Sequence, residues 1–159
     1  MARKNQTSAG LLVFRHRRQP EFLLAHPGGP FWSKKDDGAW TIPKGLAAPG
    51  DDLLAAAQRE FTEETGFVAK GRFLPLRPVR QQSGKTVHAW ALEHDFDLGR
   101  FSSNEFEMEW PPRSGRRQSF PEIDRVGWFD YDTARAKIIG YQQPLLTDLL
   151  RILDGGGSD

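Results

Sequence analysis

The sequence predicts an α+β fold in a single domain. Short segments rich in Val, Leu and Phe, separated by Gly, Pro and Asp, recur from Ser8 to Phe129, which is the signature of strands punctuated by turns. Helical periodicity is confined to one segment in the middle of the chain and two near its C-terminal end. The 159 residues fit one domain, large enough to bury a core without a staple. Strands mixed with few helices pack as layers around a sheet. The domain is expected to span residues 1–159, with flexible ends at 1–7 and 155–159.

Each element has its own reason. Ser8 to Phe14 and Glu21 to Ala25 read as strands joined by the polar turn Arg15 to Pro20. His26 to Ala39 is rich in Gly, Pro, Lys and Asp and reads as a loop. Trp40 to Ile42 reads as a short strand running into Pro43 and Gly45. A helix is expected over Asp52 to Thr65, with Asp51 as its N-cap and Gly66 as its stop. Gly71 to Leu76 and Thr86 to Leu92 read as strands. Glu93 to Ser119 reads as a long polar connection carrying one strand at Phe106 to Trp110. Val126 to Phe129 closes the strand set, and helices are expected over Asp132 to Ile139 and Pro144 to Leu153.

Bulk composition excludes several function classes. Without cysteine there is no disulfide, thiolate metal site or cysteine nucleophile. That composition suits a reducing, cytoplasmic setting. A net charge of +1 argues against a dedicated nucleic-acid binder. No apolar run is long enough for a membrane span, and the basic N-terminal stretch is not followed by a signal-peptide core. A monomer or homodimer is expected.

The chemistry concentrates between Gly45 and Phe67. Glu60, Glu63 and Glu64 are spaced i, i+3, i+4, so a helix places them on one face. Like charges so close repel by roughly 0.2–0.5 kcal/mol per pair, and a hard divalent cation offsets that repulsion. Arg59 can form a bidentate pair with one carboxylate. Leu54, Ala57 and Phe61 follow a second, apolar face, so the acids are expected to point away from the core. Gly45 and Gly50 let the preceding loop turn sharply and bring a carbonyl near the cation. Lys44 is a natural phosphate partner.

This stretch resembles the Nudix box, Gly-x5-Glu-x7-Arg-Glu-U-x-Glu-Glu-x-Gly-U, with U a bulky apolar residue. Gly45, Arg59, Glu60, Glu63, Glu64, Gly66 and Phe67 stand at their places, and Asp51 stands where the family has Glu. The resemblance implies an α/β/α sandwich around a mixed sheet. It implies Mg2+ or Mn2+ bound by Glu60 and Glu64, with Glu63 binding or close by and the Gly45 carbonyl joining them. It also implies water attack on phosphorus in a nucleoside diphosphate-linked substrate, a dinucleoside polyphosphate or nucleoside triphosphate first among these.

Nudix enzymes also recruit an acid from outside the box. Glu105, Glu107, Glu109 and Glu122 are candidates. Glu122 is preferred because Pro121 to Phe129 resembles the region of asymmetric diadenosine-tetraphosphate hydrolases in which a functional glutamate lies six residues before a tryptophan, here Trp128. Those hydrolases commonly carry a tyrosine some sixteen to eighteen residues after the box. Here Ser83, Gly84 and Lys85 occupy that region, and the chain's tyrosines are Tyr131 and Tyr141. His26, Lys34 and Lys35 could close over a polyphosphate, Phe31 or Trp32 could stack on a base, and Arg113, Arg116 and Arg117 form a basic cluster; each has a purely structural alternative. His88 and Trp128 read as structural. A non-catalytic nucleotide sensor or scaffold is the alternative to an enzyme, against which stands the intact set Arg59, Glu60, Glu63 and Glu64.

Overall fold

The computed structural model describes residues 6–155. In chain order the strands are β1 (Thr7–His16), β2 (Pro20–Pro27), β3 (Lys44–Leu46), β4 (Phe73–Pro75), β5 (Val79–Arg80), β6 (Thr86–Glu93), β7 (Glu105–Glu109), β8 (Arg117–Pro121) and β9 (Ile123–Asp130). The helices are α1 (Leu53–Thr65), α2 (Tyr131–Lys137) and α3 (Gln143–Leu153). The main sheet is mixed and runs β4-β6-β1-β2-β9, with β3 added to β1 and β5 to β6. β1 and β6 are parallel, and their neighbours are antiparallel.

Alternation along β1 explains the layers. Ala9, Leu11 and Val13 point to one face and pack with Ala56, Ala57 and Phe61 of α1. Leu12 and Phe14 point to the other and pack with Leu145, Leu146 and Leu149 of α3 and Ala134 of α2. A strand buried on both faces reads as a continuous apolar run, which is how Ala9 to Phe14 reads. The result is the α/β/α sandwich that the box resemblance implied.

Several boundaries differ from the sequence expectation. The N-cap of α1 is Asp52, whose carboxylate accepts from the Leu54 N–H at 3.2 Å. Asp51 lies one residue earlier and accepts from the Ala48 N–H at 2.8 Å, closing the box loop instead. Trp40 to Ile42 makes isolated bridges, Ala25–Thr41 and Trp40–Ile138, rather than a strand of its own. The polar connection after β6 contains a two-stranded ribbon, β7 with β8, apart from the main sheet. Its second strand, with Gln118 and Ser119, lacks an apolar face to betray it. Of the expected flexible ends, Thr7 opens β1 and the Gln6 carbonyl accepts from Thr86. The terminal residues beyond these lie outside the described residues.

Candidate active site

The start of the box is held by β3, which lies antiparallel on β1 with Gly10 opposite Lys44 and Ala9 opposite Gly45. α1 crosses the same face of the sheet, with Phe61 fully buried beneath it. This anchoring brings the loop and the helix's acids together. A Cβ on Gly45 would fall 1.9 Å from Glu60 Oε1. Only glycine therefore lets the Glu60 carboxylate lie against the box loop's backbone.

The acids do not all face away from the core, as the helix pattern suggested. Glu64 is buried, with a residual exposure of 9%. Its Oε1 accepts from the backbone N–H of Lys44 at 3.2 Å. Glu60 and Glu63 are graded outward, with side-chain exposures of 17% and 42%. At about 100° per residue Glu64 lies nearest the buried Phe61 and Ala57 around the helix, Glu60 next and Glu63 furthest, and exposure rises in that order. Arg59 is half exposed and does not form the expected bidentate pair. It reaches Glu60 at 3.4 Å and Glu63 at 3.9 Å, a loose bridge between two carboxylates.

Electrostatics follow from this packing. Burial pushes the Glu64 carboxyl up to about 8; the Lys44 backbone N–H and ammonium oppose the rise, and Glu122 and Glu60 add to it. Burial also holds the Lys44 ammonium below its ordinary range, against the pull of Glu64 and Glu60. Glu122 is raised by burial and then by Glu60 and Glu63, which places it within electrostatic reach of the box helix although it lies on another part of the chain.

Lys44, Glu64 and Glu122 line one cleft of about 310 Å3, together with Trp32, Lys85 and Tyr141. Two larger cavities, of about 540 and 550 Å3, contain none of the box glutamates. The placement of chemistry, rather than volume, marks the smaller one. Glu105, Glu107 and Glu109 do alternate on one exposed face of β7, away from the cleft. Arg113, Arg116 and Arg117 lie exposed at the far end of that ribbon. His26, considered for phosphate contact, is fully buried instead. Tyr141 and Lys85 carry no motif. Their place in the cleft depends on how the segment after α2 and the turn before β6 fold back across the sheet.

Among the described residues no three acids or histidines already surround one point. The donor set nevertheless fits a hard divalent cation. It consists of carboxylates, one of them buried and raised chiefly by that burial, beside a backbone whose close approach to Glu60 requires Gly45.

A model of the NUDIX domain family matches residues 4–149. The chain belongs to that family. It is 33% identical over 120 residues to the bis(5'-nucleosyl)-tetraphosphatase (asymmetrical) of Rattus norvegicus, covering 65% of this chain and 76% of that one. The protein of the same description from Mus musculus is 36% identical over 101 residues, 54% of this chain and 63% of that one, so the match spans just under two thirds of the mouse relative. Among solved structures, a C. elegans Ap4A hydrolase binary complex superposes with a TM-score of 0.65 at 25% identity, covering 93% of this chain and 98% of that chain. The protein is accordingly an enzyme of the Nudix pyrophosphohydrolase class, rather than the non-catalytic scaffold held open from the sequence. No helix among the described residues is long and apolar enough to cross a membrane.

Proposed function

We propose that this Nudix enzyme hydrolyses a phosphoanhydride bond in a dinucleoside polyphosphate, using Mg2+ or Mn2+. The observation that carries this reading is the convergence of Lys44, Glu64 and Glu122 in one cleft that also presents two aromatic side chains and a second lysine. Glu60, Glu64 and the Gly45 carbonyl would hold the cation, with Glu63 beside them. Bound there, it would neutralise phosphate charge and lower the pKa of the attacking water.

The chain's own residues supply the rest. Lys44 presents its ammonium to a phosphate oxygen from the edge of β3. Glu122 serves as the base, because a carboxylate raised by burial and by its acidic neighbours accepts a proton more readily near neutral pH. Arg59 keeps the Glu60 and Glu63 carboxylates from splaying apart. Trp32 and Tyr141 offer aromatic faces to a base, and Lys85 adds positive charge for the outer phosphates. No tyrosine stands at Ser83 to Lys85, and the same chemical type enters the cleft as Tyr141 from the segment between α2 and α3. The single-domain reading, residues 1–159, is retained as part of this proposal.

The test is a substrate panel with Mg2+, resolved by chromatography: diadenosine tetraphosphate, a nucleoside triphosphate, a nucleotide sugar and a capped RNA. The expected result is preferential cleavage of diadenosine tetraphosphate to two mononucleotides, abolished by excess chelator. Full turnover in chelator would sink the mechanism, and preferential cleavage of another member would replace the substrate.

A further inference from the structure

His26 is fully buried at the end of β2, and both of its ring nitrogens face oxygen. Nε2 lies 2.6 Å from the backbone carbonyl of Lys35, and Nδ1 lies 2.9 Å from Asp124 Oδ1. A carbonyl oxygen accepts only, so Nε2 carries a proton. The Asp124 carboxylate also meets Arg125 at 3.5 Å. Both ring nitrogens are thus engaged, Nε2 by the carbonyl and Nδ1 by the carboxylate. An edge-on contact with Trp40, centroids 5.2 Å apart, fixes the plane of the ring.

The two partners belong to the segments that carry Glu122 and Trp32, both of which line the cleft. Asp124 is two residues beyond Glu122 on the segment that opens β9. Lys35 belongs to the loop after β2, and its N–H donates to the Trp32 carbonyl at 2.9 Å. Its ammonium lies over the Trp32 ring, 5.2 Å from the centroid. Trp32 lines the cleft. The loop is fastened a second time where the Gly28 N–H donates to the Glu122 carbonyl at 2.8 Å. Gly28 permits that approach, since a Cβ there would fall 1.9 Å from the Pro121 carbonyl oxygen. The β2–β9 register also slips between His26 and Pro27, so the chain leaves the sheet at the residue that pins it.

We infer that His26 is a positioning residue for substrate recognition: its imidazole ring, clamped between Asp124 and the Lys35 carbonyl, holds Trp32 at the wall of the cleft. The inference rests on the reading of this cleft as the active site. It assigns the loop over Pro27 to Lys35 a preset shape, so that the base meets an aromatic surface already in place and little ordering is needed on binding. His26 touches no substrate, and its effect passes through Trp32.

The test combines a double-mutant cycle with a spectroscopic arm. Steady-state kinetics on diadenosine tetraphosphate with Mg2+ would compare wild type, His26→Ala, Trp32→Ala and the double variant. KM should rise about tenfold in each single variant, the size of one contact of 1.4 kcal/mol, with kcat changed less than about twofold. The double variant should match the singles, because both remove the same interaction. Additive effects, or an unchanged KM in folded His26→Ala, would overturn the inference. Should His26→Ala fail to fold, Asp124→Asn takes its place in the cycle, with the same outcomes counted. Nitrogen-resolved NMR of the wild-type ring should show Nε2 of His26 protonated and hydrogen-bonded, with the Nδ1 signal shifted in Asp124→Asn. An unprotonated Nε2, or an Nδ1 signal unmoved in Asp124→Asn, refutes the clamp whether or not the substrate assignment holds. An inactive wild type with both ring contacts present refutes the substrate assignment alone.

Discussion

Glu64 offers a test of the site that needs no substrate. Its carboxyl is raised from 4.5 to about 8, chiefly by burial. In the cation-free protein a carboxyl raised on folding contributes stability that is complete below its unfolded value and is lost as pH climbs through its folded value. The window is therefore about pH 4.5 to 8. At about 1.4 kcal/mol per pH unit, the loss across it reaches at most about 5 kcal/mol. Replacement by Gln keeps the shape and an oxygen for the Lys44 N–H but cannot ionise. It also leaves the Lys44 ammonium without its first counter-charge, which opposes the gain. The difference in pH dependence between wild type and Glu64→Gln should then be about 2–5 kcal/mol, or roughly 5–15 °C in melting temperature for a domain of this size. Thermal melts in chelator from pH 5 to 8.5 measure it: the wild type should fall relative to the variant as pH rises. Adding Mg2+ at pH 8.5 should raise the wild-type midpoint far more than that of Glu64→Gln, because binding to the folded state alone stabilises it. Parallel pH curves for the two proteins would refute the burial argument, and an equal Mg2+ response would remove Glu64 from the cation site.

Three further outcomes are expected. Glu122→Gln should lower kcat by about a hundredfold or more, the scale of general acid–base catalysis, and flatten one limb of the pH-rate profile. Glu107→Gln and Glu109→Gln on the exposed ribbon face should stay within about twofold of wild type; the reverse pattern would move the outer acid to β7. Gly45→Ala puts a methyl where the Glu60 carboxylate lies, so kcat should fall at least about tenfold through misplacement while the melting temperature changes little. A large melting change with full activity would refute that reading. Asp52→Ala should cost about 0.5–2 kcal/mol as the loss of an N-cap, measured by urea denaturation. Asp51→Ala should act by loosening the box loop, and equal losses from both would undo the assignment of the cap to Asp52.

The box was legible because its chemistry is local. Gly45, Arg59, Glu60, Glu63 and Glu64 lie on one loop and one helix, where spacing alone sets which side chains share a face. Glu122 was found from its spacing to Trp128 on a neighbouring segment, and the cleft places it beside Glu64. Tyr141 and Lys85 escaped notice because nothing in their neighbourhoods requires them; they reach the cleft through chain crossings far along the sequence. His26 was considered as a phosphate contact, since a histidine beside a Gly-rich loop looks available. It is withdrawn from solvent by a bulge in β2 and a partner 98 positions away.

By itself the sequence determined that Ser8 to Phe14 is a strand, the extent of α1 within a residue, and the identity of the acidic stripe, because periodicity and turn chemistry act over a few residues. Tertiary structure decided how deep that stripe sinks. Around the helix Glu64 lies nearest the apolar face and Glu63 furthest from it, and packing against β3 turns that order into a buried Glu64 and a nearly half-exposed Glu63. Helical spacing orders side chains around an axis, but what packs against that axis, here β3 with the Lys44 N–H on Glu64, decides which charge loses its water, and desolvation is what separates their chemistry.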